Sequence, residues 1–274
     1  MEFKFDLGLA QLTDIDYHRL VSYTIFTLFF AGREYAPQAI INGVNIQEFL
    51  ENHFLAAMRH LAQRIHDAGN LEDSTVIGWE SINEPCIGLV GYTDLDIVME
   101  TQQLRKTTCP SAFQCMLLGE GVKTHVDVYD WTQFGPKKTG SKLVDPQGSK
   151  AWISSDKYDK KYRFQRDPQW KLGQCIWAQH GVWDSKTCKL QRPQYFLLDG
   201  NGNKANNETW LRDHFMVHFK HYSDTIRSVH KNAIMFLQPP VMYIPPILNG
   251  IERDGRLVFS PHYYDGLTLM LKKW

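Results

Sequence analysis

One glutamate occupies a position that suits general acid–base chemistry. Glu84 lies in the run Asn83-Glu84-Pro85, directly after residues 76–82, whose apolar composition predicts a buried β-strand. Barrel enzymes place their catalytic groups at the carboxyl ends of parallel strands, where burial can raise the pKa of a carboxyl group. A protonated carboxyl group of this kind is the acid that glycosidic bond cleavage needs, with a second carboxylate across the bond.

The neighbours of Glu84 fit the same chemistry. The Asn83 amide can hydrogen-bond a sugar 2-hydroxyl, a contact that strengthens in the transition state of glycoside hydrolysis. Pro85 stiffens the turn that follows. A plain loop is the alternative interpretation, because Asn-Glu-Pro is a short and frequent tripeptide; the buried strand before it favours the catalytic interpretation.

Helices and strands alternate around this position. Apolar spacings of three and four predict helices over residues 44–65 and 211–229, and apolar runs predict strands over residues 76–82, 233–238 and 257–262. Asn45 is placed to cap the first helix and Gly69 to end it. Helix followed by strand, with strands of the buried parallel type, indicates an α/β protein.

A long segment separates the first strand from the next helix. Strand-to-helix loops usually have about 2–6 residues, but here residues 86–208 intervene and carry five of the eight tryptophans. We predict a large insertion, in which the Lys-, Gly-, Asp- and Ser-rich residues 134–162 form a surface loop.

Several motifs along the chain resemble one enzyme family. The run Gly78-Trp-Glu-Ser-Ile-Asn-Glu-Pro85 resembles the strand-four motif of the barrel glycosidases related to glycoside hydrolase family 5. Further stretches resemble the fungal glucosylceramidase and steryl-β-glucosidase branch of that family. These are residues 26–32, 167–173, 176–183, 238–240 and 262–269.

This resemblance implies a fold and a site. The fold is a (β/α)8 TIM barrel of the α/β class, of which this chain supplies about strands four to six with their flanking helices. The strands over residues 76–82, 233–238 and 257–262 should then be parallel neighbours in that order. Asn83 and Glu84 match the family's Asn and its acid/base Glu. His262 and Tyr264 match the strand-six His and Tyr that line the glucose subsite. The implied activity is retaining hydrolysis of a β-glucosidic bond in a glycolipid, with ceramide and sterol both open as the aglycone.

The resemblance also implies that residues 1–274 are a partial catalytic barrel. The family's nucleophilic Glu follows strand seven, whereas this chain stops at Trp274, just past strand six. Strands one to three, seven and eight and a C-terminal β-sandwich are expected outside it. The alternative is a catalytically inactive truncated barrel or a glucolipid-binding remnant.

Other carboxylates are weaker candidates for the nucleophile. Asp265 follows strand six, but its side chain is short and the family has no catalytic residue there. Glu120, Glu208 and Glu252 lie in loops or at a helix start, where solvated or capping roles are expected.

The aromatic insertion offers further binding residues. The Trp177 and Trp183 rings can pack against a sugar or lipid, or they can fill the insertion's own core. His180, between them, can reach a substrate or make a structural hydrogen bond. Substrate binding by Trp177 and His180 is therefore a prediction with a structural alternative.

A metal site is not expected. His214, His218 and His221 share one helix face, but the HExxH pattern and a nearby Cys pair are both missing, so solvated histidines are the favoured interpretation. Cys175, His180 and Cys188 are too irregular in spacing for a zinc site. We predict no metal and no cofactor.

Composition limits the expected binding partners and the expected cellular compartment of the protein. A formal net charge of zero gives no basic footprint for nucleic acid, and no obligate protein partner is evident. Five scattered cysteines and an N-terminus without a signal-peptide layout favour a reduced, cytoplasmic setting. A peripheral contact with membranes stays open.

Overall fold

The computed structural model describes residues 14–99, 105–241, 243–248, 250, 255–263, 265 and 268, with side chains from residue 20 onward. The chain divides into two compact units. The first comprises Met1–Gln47 and Gly88–Ala205, and the second comprises Glu48–Ile87 and Asn206–Trp274. The insertion that we predicted over residues 86–208 stays a prediction.

Short strands and helices of varied length make up both units. The helices are α1 (Asp14–Tyr35), α2 (Ile46–Ala68), α3 (Ala112–Gly119), α4 (Lys157–Tyr162), α5 (Ile176–Gln179), α6 (Asn207–Trp210) and α7 (Met216–Arg227). The strands are β1 (Ile40–Ile41), β2 (Val44–Asn45), β3 (Gly78–Glu80), β4 (Thr107–Cys109), β5 (Thr124–Thr132), β6 (Gly135–Val144), β7 (Trp183–Asp184), β8 (Lys189–Leu190), β9 (Ile234–Leu237) and β10 (Leu257–Phe259).

A three-stranded parallel sheet is the centre of the second unit. Its order is β3-β9-β10, and both pairs are parallel. Trp79, Met235 and Leu257 are aligned across the three strands. The predicted strands are therefore confirmed as parallel neighbours in the predicted order. Each is shorter than its apolar run, because ladder pairing covers only three or four residues of each.

Helix α2 begins and ends where its sequence signals indicate. The Asn45 Oδ1 accepts a hydrogen bond from the backbone N–H of Gln47 at 3.0 Å, which caps the helix start. Ala68 is the last helical residue, and Gly69 takes a left-handed φ of +66°. A left-handed glycine is a common helix terminator because it lacks a Cβ that would clash.

The second predicted helix is less regular than its apolar spacing suggested. It begins at Asn207, where the Asn206 side chain caps Thr209, and its residues Leu211–Phe215 form a π-helical turn before α7. The predicted stripe is nevertheless buried, with Phe215, Phe219, Tyr222 and Ile226 at most 2% exposed. Burial of that stripe, at roughly 1.5–3 kcal/mol for a large side chain, holds the helix in place.

A series of hydrogen bonds between side chains anchors β3 on one side of the sheet. The Trp79 indole N–H donates to Nδ1 of His230 at 3.1 Å, and Nε2 of His230 lies 3.0 Å from Oδ1 of Asp73. This arrangement fixes the tautomer of His230, whose Nε2–H then donates to the carboxylate. This series satisfies the polar atom of a tryptophan that is only 8% exposed.

The first unit contains an antiparallel sheet of order β4-β5-β6. Within residues 134–162, which we predicted to be a surface loop, residues 135–144 are strand β6 and residues 157–162 are helix α4. The prediction of an irregular loop is therefore wrong for these stretches. Strand β6 exposes nearly all its side chains, so its sequence has no apolar alternation, and backbone pairing with β5 forms it instead.

None of the helices in the described residues is both long and apolar enough to cross a membrane.

Close backbone contact at Gly78 generates a stability prediction. A Cβ at this position would lie 2.3 Å from the backbone oxygen of Ile234 and 2.7 Å from a ring carbon of Phe236. Gly78→Ala should therefore force β3 away from β9 and lower the free energy of unfolding by about 1–3 kcal/mol in urea unfolding.

Gly140→Ala is the matched control, because a Cβ at Gly140 meets no atom within 4 Å. It should change the unfolding free energy by less than about 1 kcal/mol, and in the stabilising direction. Equal effects of the two substitutions would contradict the assigned β3–β9 contact.

Candidate functional site

Glu84 and His262 meet beyond the carboxyl ends of the parallel strands. The Nδ1 of His262 lies 3.0 Å from Oε1 of Glu84, and the side chains of the two residues are 33% and 32% exposed. Glu84 follows β3 and His262 follows β10, which are the outer strands of the sheet. Parallel strands end at one edge, so residues 178 positions apart are placed side by side. Solvent and ligands can reach this partly exposed pair.

The backbone of Glu84 adopts an uncommon conformation. Its φ is +47°, a left-handed value that non-glycine residues rarely take. The backbone N–H of Glu84 donates to Oε1 of Gln238 at 3.0 Å. Asn83 is exposed beside it, and Pro85 is buried. The turn therefore holds the Glu84 side chain next to His262 while it leaves Asn83 open to a ligand.

Gln238 and a second carboxylate, Glu80, were not candidates from sequence. Glu80 is the last residue of β3, and its Oε2 accepts a hydrogen bond from the Ser260 hydroxyl at 3.1 Å. Its backbone oxygen accepts from the Tyr222 hydroxyl at 2.8 Å. Burial, with the nearby charge of Glu80, raises the pKa of Tyr222, so this hydroxyl stays a donor. Polar residues at strand ends were the available signal for both.

The histidine-rich helix face is not simply solvated, as we had expected. His218 is only 3% exposed; its Nε2 lies 2.8 Å from the Ser81 hydroxyl and its Nδ1 lies 3.0 Å from Oε1 of Glu51. His221, which is exposed, lies 3.1 Å from the same carboxylate oxygen. The solvated interpretation is wrong for His218, which connects α7, α2 and the end of β3.

The order Ser81, His218, Glu51 has the hydrogen bonds of a serine-hydrolase triad. Its placement is that of a structural network instead. Ser81 is two residues beyond Trp79 and so shares its helix-facing side of the strand, and the imidazole is enclosed between helices. A nucleophile must be accessible to its substrate. We therefore assign a structural role to Ser81, His218 and Glu51, which is to hold the end of strand β3 in place.

The electrostatics of Glu51 follow from this network. Burial acts to raise the pKa of the Glu51 carboxyl, but hydrogen bonds and charge from His218 and His221 outweigh burial, so the pKa is lowered. Glu51 is therefore a carboxylate at neutral pH and accepts from the Nδ1–H groups of both histidines.

The remaining carboxylates have local partners. Asp265 is exposed and bonds to Thr268 through both carboxylate oxygens. Glu120 bonds to the Lys150 ammonium and accepts from the Cys175 backbone N–H at 2.9 Å, at the start of α5. Glu208 is in the first turn of α6. Glu252 and Tyr264 lie outside the described residues.

Trp177 and His180 belong to the first unit, and both form hydrogen bonds with residues of that unit. The Trp177 ring is 0% exposed, and its indole N–H donates to the Thr24 hydroxyl at 3.1 Å. The Nε2 of His180 accepts from the Gln38 backbone N–H at 3.2 Å, and its Nδ1 lies 2.8 Å from the Ile176 oxygen. Trp183 is 1% exposed. These contacts favour the structural alternative for all three residues.

A metal centre is not evident in the part of the chain that the structure describes. No group of three or more His, Cys, Asp or Glu side chains there could hold an ion.

Comparison with known proteins shows clear homology. No protein-family model matches the chain. It is 49% identical over 261 residues to a glucosylceramidase of Aspergillus fumigatus, covering 94% of this chain and 34% of that protein. It is 38% identical over 268 residues to an ergosteryl-β-glucosidase of Saccharomyces cerevisiae, again covering 94% and 34%.

The structural comparison agrees. A crystal structure of Cryptococcus neoformans sterylglucosidase 1 matches with a TM-score of 0.88 and 43% identity, covering 94% of this chain and 36% of that one. The predicted resemblance to fungal glucosylceramidases and steryl-β-glucosidases is thus confirmed, and the chain is a homologue of glycoside hydrolases. It spans about a third of the length of the relatives that it matches.

The Glu51 network predicts a pH dependence of stability. Because the folded-state pKa of Glu51 lies below the unfolded value of about 4.3, its carboxylate stabilises the fold above that value. That stabilisation is lost as the pH falls through the folded-state pKa. Glu51→Gln should lower the free energy of unfolding at pH 7 by about 1–3 kcal/mol. It should also flatten the acid loss below about pH 4, as measured by urea unfolding at a series of pH values.

Asp224→Asn is the control, because Asp224 forms an exposed pair with Lys220 on the same helix. Its expected effect is within about 0.5 kcal/mol at pH 7. An acid loss that is as steep in Glu51→Gln as in the unmodified chain would exclude Glu51 as its source.

Proposed function

We propose that this chain is the strand-four to strand-six segment of a retaining β-glucosidase barrel, and that Glu84 is its general acid/base. The observation that carries the proposal is the Glu84–His262 pair, 3.0 Å apart at the ends of parallel strands. It occurs in a chain that is 49% identical to a glucosylceramidase. A glutamate in this position and this homology together favour acid–base catalysis at a glucosidic bond.

Three features of the second unit support the proposal of a barrel. Its three strands are parallel neighbours, helix α7 follows β3 and precedes β9 in the manner of a βα repeat, and the Glu84–His262 pair lies at the carboxyl ends. In TIM barrels, catalytic residues come from the carboxyl ends of several different strands. Strands one to three, seven and eight are proposed to lie outside residues 1–274.

The chemistry assigned to Glu84 has two halves. In the first, its protonated carboxyl gives a proton to the departing glycosidic oxygen; in the second, its carboxylate takes a proton from the attacking water. The imidazole Nδ1–H can donate to one oxygen of Glu84 in both halves, because the second oxygen of the carboxyl group carries the proton that is transferred. The hydrogen bond with His262 can therefore persist through both halves and keep the side chain aimed.

Substrate contacts are assigned to Asn83, which is exposed beside Glu84, and to the residues that the family resemblance places in the glucose subsite. Asn83 is proposed to bind the sugar 2-hydroxyl, and His262 and Tyr264 to line the glucose subsite. Glucosylated lipids are the proposed substrates, because the relatives are named for glucosylceramide and for ergosteryl glucoside. Both aglycones stay within the proposal, as does a peripheral contact with the membrane that contains them.

The general-acid role of Glu84 can be tested in the longest protein that the surrounding reading frame encodes. Glu84→Gln should lower kcat/KM on a glucosylated lipid by about 10²–10⁴-fold, because an amide cannot protonate the leaving oxygen. Turnover of a dinitrophenyl β-glucoside should fall less, because that leaving group needs little protonation. Steady-state kinetics on the two substrates measures the difference.

Glu208→Gln is the matched control, since Glu208 is an exposed helix-start residue of the same unit. It should leave both activities within about twofold of the unmodified protein. An equal loss on both substrates in Glu84→Gln would argue against the acid/base assignment.

Residues 1–274 alone should show no measurable β-glucosidase turnover. Retaining catalysis needs two carboxylates about 5–5.5 Å apart, and the family resemblance places the nucleophile after strand seven. A chain with the acid alone cannot form the glycosyl-enzyme intermediate. Hydrolysis of a dinitrophenyl β-glucoside by the 274-residue chain would identify a nucleophile within it, with Asp265 as the first residue to substitute.

A further inference from the structure

Gln238 occupies a central position relative to the Glu84–His262 pair. It directly follows β9, the middle strand of the sheet, whereas Glu84 and His262 follow the two outer strands. The two outer residues meet at 3.0 Å, so they approach each other across the end of β9. The side chain of Gln238 is thus placed to act on that pair.

The contact that Gln238 makes is with the backbone of Glu84. Its Oε1 accepts the Glu84 N–H at 3.0 Å, and a backbone N–H can only donate, so the orientation of the amide is determined. Glu84 has a φ of +47°, which is unfavourable for a residue with a side chain. Surrounding contacts must hold such a backbone in place, and this hydrogen bond acts on the strained residue itself.

Stability alone does not explain a glutamine here. Gln238 is 3% exposed, and its Nε2 is a buried donor without a hydrogen-bond partner among the described residues. An unpaired buried donor destabilises a fold, so the contact of Oε1 with Glu84 is made at the cost of an unpaired Nε2. Such a group needs an explanation, and a role at a functional site is one.

We propose that Gln238 is a positioning residue for Glu84, and this inference rests on the proposed acid/base function. Its carboxamide oxygen holds the left-handed backbone of Glu84, which aims the carboxyl group at His262 and at the leaving-group oxygen. Gln238 itself transfers no proton and forms no bond to the substrate.

Gln238→Met tests the inference, because methionine keeps the length of the side chain and removes the acceptor. In the longest protein that the reading frame encodes, we expect kcat on an alkyl β-glucoside to fall by about 10–100-fold, a part of the range for general-acid catalysis. On a dinitrophenyl β-glucoside, kcat should fall less than about threefold, and KM should change little on either. A merely structural role would reduce the active fraction and lower both activities equally.

Two further variants complete the design. Gln238→Glu keeps an oxygen acceptor in either protonation state. The ratio of its kcat values on the two substrates should therefore be close to that of the unmodified protein. Gln63→Met makes the same substitution on the exposed face of α2, and both activities should remain unchanged.

The outcomes separate this inference from the proposed function. Loss of turnover on the alkyl glucoside alone, with a crystal structure in which the φ of Glu84 becomes negative, supports the positioning role. Equal losses on both substrates, or an unchanged φ of Glu84, overturn the positioning role of Gln238. They do not overturn the proposed glucosidase function. If the unmodified protein hydrolyses neither substrate, the proposed function fails, and the role of Gln238 fails with it.

Discussion

Parallel pairing of β9 with a strand on each side is the constraint on which the candidate site depends. In a parallel ladder every strand ends at the same edge, so residues that follow each strand are brought together regardless of their separation in sequence. Glu84, Gln238 and His262 each follow a different strand of this sheet. Their hydrogen bonds link the turns after all three strands, so a change of register in any one strand would break at least one of these bonds.

The helix-facing side of the same sheet is held by polar contacts as well as by apolar packing. Trp79 bonds to His230, and Ser81 bonds to His218. Each histidine in turn has a carboxylate partner, Asp73 or Glu51. A buried imidazole between two partners tolerates few orientations. These hydrogen bonds therefore favour one alignment of the helix against the strand over others. Apolar contacts alone, being non-directional, would specify this alignment less strictly.

The backbone strain at Glu84 has a different character from these supports. A left-handed φ on a side-chain-bearing residue is unfavourable locally, and in this structure it coincides with the residue that has the strongest functional assignment. Gly88, four residues later, has a φ of +69°, where glycine meets the same backbone requirement without strain.

Local sequence patterns predicted the three strands of the parallel sheet, helix α2, the helical stretch from α6 to α7 and the position of Glu84 at a strand end. Hydrophobic period and capping residues are local properties, so they predicted helix α2, its cap at Asn45 and the three strands, whereas the order of β3, β9 and β10 followed from the barrel resemblance. The exposed strand β6 escaped prediction because its pairing depends on backbone hydrogen bonds that leave no apolar pattern. The family resemblance supplied His262 as a partner, but not its 3.0 Å contact. Gln238 on the backbone of Glu84, 154 residues away, and His218 on Ser81, 137 residues away, were decided only by the tertiary structure. Contacts of this kind depend on strand register and on the direction of each side chain, which only the packed sheet and helices determine.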